Sequence, residues 1–104
     1  MEEQKNDNQI QIELTEEVAD GIFSNLAIIT HSNTEFVVDY IRVMPGVTKA
    51  KVKSRIILTP EHAKRFAAAL VDNIEKYEAA NGRIKIQTDA ANLPLQYGGP
   101  KAQA

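Results

Sequence analysis

Apolar and polar positions alternate with a period of two through the first half of the chain, then switch to spacings of three and four. Ile10, Ile12 and Leu14 interleave with Gln9, Gln11 and Glu13, the pattern of a strand with one face toward a core. From Ile22 to Thr30 both parities carry apolar residues: Ile22, Leu26 and Ile28 on one, Phe23, Ala27 and Ile29 on the other. That predicts a central strand or one lying at an interface. Glu35 to Met44 is rich in β-branched and aromatic residues (Phe36, Val37, Val38, Tyr40, Ile41, Val43) and predicts a further strand. His31-Ser32-Asn33-Thr34 between them has the chemistry of a hairpin turn. Pro45-Gly46 suits the two central positions of a type II turn, where glycine accepts a positive φ.

After that turn Lys49, Lys51, Lys53 and Arg55 fall on alternate positions, with Val52, Ser54, Ile56 and Leu58 between or beyond them. On an extended backbone the first set makes one cationic row, and the second points to the other side. The period then changes. Thr59-Pro60-Glu61 is an N-cap, a first-turn proline and a first-turn acid. Ala63, Phe66, Leu70, Ile74 and Tyr77 form one stripe, and Asn81-Gly82 is a stop signal. These predict a helix from Pro60 to about Ala80. Arg83 to Gln87 alternates in the manner of a short strand.

The expected organisation is a loose N-terminus over residues 1–8, one domain over 9–88 and a flexible tail over 89–104. About four antiparallel strands as a meander, with one long C-terminal helix packed on a face, make an α+β fold. One helix covers one side only, and the strands are apolar on both. The uncovered side predicts a homodimer or larger assembly.

Composition narrows the function classes. The 104 residues include no cysteine, which excludes disulfides and thiolate metal sites. The acidic start Met1-Glu2-Glu3 lacks the apolar stretch of a signal peptide, and no apolar run reaches the roughly 20 residues that span a bilayer. A cytoplasmic protein without membrane contact is expected. Charge is segregated: residues 1–41 hold nine acids and one base, residues 42–65 seven bases and one acid. Either a basic patch awaits an acidic or phosphate-bearing partner, or neighbouring acidic and basic strands neutralise each other.

Catalytic chemistry finds little footing. Two histidines, His31 and His62, do not supply a zinc site. Ser32 beside His31 forms no nucleophile elbow, and Glu35 and Asp39 would stand about 13 Å apart on one strand face. No glycine-rich phosphate loop occurs. No catalytic, metal or cofactor residue is expected, and the chain reads as non-enzymatic. The candidate contact residues are Arg42, Lys49, Lys51, Lys53 and Arg55, set against phosphates or acids. No aromatic residue is interleaved with them for base stacking, so nucleic acid is not the favoured partner.

Three stretches carry a resemblance: Asn25 to Ser32, Glu35 to Gly46, and Arg55 to Lys64 with its Pro60-Glu61-His62-Ala63-Lys64 run. Together they resemble the bacterial domain-of-unknown-function 3467 family over roughly residues 9–84. The resemblance implies a small bacterial protein, common in Bacteroidetes, whose gene lies beside that for the RNA polymerase β′ subunit. It carries no catalytic residue with it. The implied role is an accessory module of a larger cytoplasmic assembly associated with RNA polymerase. The strand-then-helix order is also similar to the export chaperone SecB, so a holdase for unfolded chains is the alternative.

Overall fold

The computed structural model describes residues 9–86. The expectations for residues 1–8 and for the tail lie outside them. In chain order the elements are a one-turn helix α1 (Glu16–Ala19), strands β1 (Leu26–His31), β2 (Phe36–Ile41) and β3 (Val52–Leu58), and the helix α2 (Pro60–Asn81). The strands form one antiparallel sheet in the order β1-β2-β3, which is the meander that three strands joined by short turns produce.

The turns are built as their residues dictate. The Ser32 N–H donates to the Glu35 carbonyl at 2.9 Å, and the Ser32 hydroxyl accepts from the Thr34 N–H at 3.2 Å. The Val47 N–H donates to the Met44 carbonyl at 3.2 Å, and Gly46 sits at φ +79°, the type II arrangement expected of Pro45-Gly46. Thr59 caps α2 by accepting from the His62 N–H at 3.1 Å. Gly82 ends the helix at φ +92°.

The buried residues are few and lie on the central strand: Val37, Val38, Ile41 and Asp39. Register places Val37, Asp39 and Ile41 on one face, together with Leu26, Ile28 and Thr30 of β1. Val38 and Tyr40 lie on the other face with Ser54 and Ile56 of β3. On that second face Glu17, Val18 and Ile22 meet Tyr40, Ser54 and Ile56 around an open depression of about 370 Å³, so the α1 segment lies across it.

Several expectations are corrected. Among the described residues three strands are present, not about four: Gln9 to Leu14 belongs to no strand, and Ile10, Ile12 and Leu14 stand in solvent. Alternation makes a segment amphipathic, but a strand also needs a ladder of backbone bonds to a neighbour, and this segment pairs with neither edge of the sheet. β1 begins at Leu26, later than Ile22, because Gly21 at φ +76° and the Ser24 hydroxyl bond to the Ile41 carbonyl (3.0 Å) shape an irregular entry. Residues 83–86 form no strand.

The largest correction concerns α2. It was expected to pack on the sheet, yet none of its residues is buried, and Phe66, Leu70, Ile74 and Tyr77 remain 38–54% exposed. The helix follows β3 with Thr59 as its only link, so the sheet's twist and this cap set its direction. The apolar stripe exists as predicted. Among the described residues no element covers it.

Candidate interaction surfaces

Charge on β3 is arranged by the register with β2. Asp39 lies opposite Arg55. The Arg55 guanidinium donates through Nε to Oδ1 at 2.6 Å and through Nη2 to Oδ2 at 2.8 Å. Two parallel charge-assisted bonds of this length are the strongest side-chain arrangement open to a carboxylate. Asp39 is 1% exposed, while the Arg55 side chain keeps 37% of its surface in contact with solvent. One member of the cationic row is therefore engaged in holding the sheet together.

The other four candidates fall on different elements. Arg42 follows β2 directly and is exposed. Lys49 and Lys51 precede β3, in the connection after the Pro45-Gly46 turn, and Lys53 lies within β3. Tyr40 pairs with Ser54 and Ile41 with Val52, so Lys53 is the extra residue of a β-bulge. A bulge carrying a lysine on an edge strand is a common guard against unwanted strand pairing. Among the described residues Glu13, Glu16 and Glu17 form no ion pair with these lysines. The neutralisation that does occur is the Asp39–Arg55 pair across β2 and β3.

Elsewhere the polar groups serve the fold. His31 stacks on Phe36 with centroids 5.3 Å apart, and His62 lies 6.5 Å from Phe66. Among the described residues no group of three or more His, Cys, Asp and Glu is placed to hold a metal ion. Ion pairs on α2, Glu61 with Arg65 and Asp72 with Lys76, join residues four apart on the face opposite the stripe.

Sequence reasoning missed two structural pieces of this region. Asp39 is the lone acid inside Phe36-Val37-Val38-Asp39-Tyr40-Ile41, and a charge in the middle of an apolar strand asks for a cation on its neighbour. Thr15, Glu16 and Glu17 formed a cap and an acidic first turn that announce α1, where the Thr15 hydroxyl accepts from the Val18 N–H.

Taken together these features define an α+β domain, a three-stranded meander continued by a long helix, in which the chemistry is carried on surfaces. The chain belongs to the family described as Protein of unknown function (DUF3467), which matches residues 1–86. No curated protein and no solved structure matches it. No helix among the described residues is long and apolar enough to cross a membrane.

Proposed function

We propose that this chain is a non-enzymatic binding module that works as an assembly of its own copies, an accessory to a larger cytoplasmic complex. The observation that carries the proposal is the state of α2. Its 22 residues extend over about 33 Å, and the whole Phe66-Leu70-Ile74-Tyr77 stripe faces water. Helices of this kind draw most of their stability from packing an apolar face. Among the described residues nineteen large apolar side chains are exposed, against three that are buried, which supports a core completed from outside one copy.

A second copy is the occupant the stripe fits. It presents the same stripe, and Ala63 and Ala67 within it let two helices approach closely. The charged residues Glu61, Arg65, Asp72 and Lys76 lie on the opposite face, where an isologous contact leaves them in water. The outward-facing partner surface is then Arg42, Lys49, Lys51 and Lys53. An acidic protein face complements these cations; nucleic acid is disfavoured because the chain's own isoelectric point is about 5.6 and no aromatic residue stands among them to stack on bases. A subunit of RNA polymerase is the candidate that the family resemblance adds.

The test is affinity purification of the tagged chain from its native bacterium at low and high salt, repeated with Lys51→Glu and Lys53→Glu together. The proposal expects one stoichiometric acidic protein, lost at high salt and lost with the double variant. Recovery of nucleic acid would replace the partner class. A mixed set of unfolded chains kept at high salt would favour a holdase and overturn the reading.

A further inference from the structure

The two edges of the sheet differ in kind. β3 is guarded by the bulge at Lys53 and by Lys49 and Lys51 just before it. β1, Leu26-Ala27-Ile28-Ile29-Thr30-His31, carries no carboxylate, ammonium or proline, and pairs with β2 in unbroken register from Leu26↔Ile41 to His31↔Phe36. An unguarded, regular, largely apolar edge is a template for another strand. Ile29, in the middle of it, is 63% exposed.

The direction of the backbone groups follows from the turn. Ser32 donates to the Glu35 carbonyl, so Ser32 and Glu35 form a hydrogen-bonded pair. Counting back two residues at a time along the register, Thr30–Val37, Ile28–Asp39 and Leu26–Ile41 are the other hydrogen-bonded pairs. The N–H and C=O groups of Ala27, Ile29 and His31 therefore point away from the sheet.

We infer that β1 is the joint between two copies of this chain: β1 pairs antiparallel with β1 of a second copy, and the two sheets become one continuous sheet. The inference rests on the self-assembly reading above and adds to the α2 stripe a second, separate contact between copies. A two-fold axis normal to the sheet keeps each face on its own side, so residues of the same parity must oppose one another. Ile29 opposite Ile29 of the second copy, flanked by Ala27 opposite His31, is the register that uses every outward N–H and C=O of these three residues. Ile28 opposite Ile28 would instead bring Asn25 into the ladder, and its N–H already donates to the Ile41 carbonyl at 3.1 Å. Charge selects the edge as well: two β1 strands meet without repulsion, whereas two β3 strands would bring Lys53 toward its counterpart. The second copy is favoured over the chain's own Gln9 to Leu14 because the α1 segment lies across Tyr40, Ser54 and Ile56. That path carries the N-terminal segment toward β3.

The absence of cysteine makes a direct test available. Ile29→Cys in the full chain, under mild oxidation, is expected to give a covalent dimer. Opposed hydrogen-bonded residues have Cα atoms about 5.5 Å apart, within disulfide reach. Val52→Cys on the guarded edge is expected to stay reduced. In the unmodified chain the amides of Ala27, Ile29 and His31 should exchange more slowly as protein concentration rises. A dimer by mass with no Ile29 cross-link and fast exchange at these amides overturns the β1 joint and leaves self-assembly standing. A monomer overturns both. Protection in a monomer that does not depend on concentration shows the edge covered by the chain itself, and also overturns the joint.

Discussion

Asp39 and Arg55 face each other across β2 and β3, and the guanidinium holds both oxygens of a carboxylate that is 1% exposed. The pair sits at the middle of the sheet, between Ile28 on one side and solvent beyond Arg55 on the other. It ties the edge strand to the centre and fixes the register, since a slip of one residue would move Arg55 to the opposite face. Arg55→Ala should therefore lower stability by about 3 kcal/mol, because it strands a buried carboxylate. Replacing both residues, Asp39→Leu with Arg55→Leu, should cost less than the single change. Urea unfolding midpoints check this, and an Arg55→Ala variant within about 0.5 kcal/mol of the parent chain would mean the pair is incidental.

Asn25 clamps the start of β1 to the chain leaving β2. Its Nδ2 donates to the Val43 carbonyl at 2.9 Å and its Oδ1 accepts from the Val43 N–H at 2.7 Å. Asn25→Ala should cost about 1–2 kcal/mol, the worth of two exposed but well-formed bonds. Asn25→Asp should not restore it, because the carboxylate lacks the donor for Val43. Thermal unfolding of the three proteins side by side provides the comparison, and full recovery in Asn25→Asp would contradict the donor's role.

Gly46 occupies φ +79°, and a Cβ built there meets nothing within 4 Å. Any penalty in Gly46→Ala is thus backbone strain without a clash, about 1–2 kcal/mol. A chemical denaturation curve reads it directly. A neutral or stabilising substitution would show that the turn relaxes freely.

The α2 stripe should behave as an interface. Leu70→Glu with Tyr77→Glu is expected to reduce the molar mass in solution and the helical circular dichroism signal together, since the helix loses the packing that sustains it. Unchanged mass and unchanged helicity would place the copy-to-copy contact elsewhere.

Local chemistry made much of the fold legible. Thr59-Pro60-Glu61, the stripe at spacings of three and four, and Gly82 locate α2 within a residue of its ends. The β-branched run Phe36 to Ile41 marks a strand and Pro45-Gly46 its turn, although the central place expected for Ile22 to Thr30 falls to β2, and β1 lies at the edge. What local pattern does not encode is where an element goes. The alternation in Ile10, Ile12 and Leu14 describes a face and names no neighbour, so a strand was expected where none is paired. The stripe of α2 describes an apolar surface in the same way, and the described residues leave it open. At the candidate surface, the alternate spacing of Lys53 and Arg55 was readable. The division of labour between them was not, because it depends on which residue of β2 stands opposite, and the bulge at Lys53 shifts that register by one residue.

The central claim, that the core is completed by another copy of the chain, is tested most directly by the molar mass of the full-length protein in solution. Sedimentation equilibrium over a wide concentration range should return a multiple of 11.5 kDa, with the smallest stable species a dimer. A folded species of 11.5 kDa that persists to the highest concentrations would contradict the account.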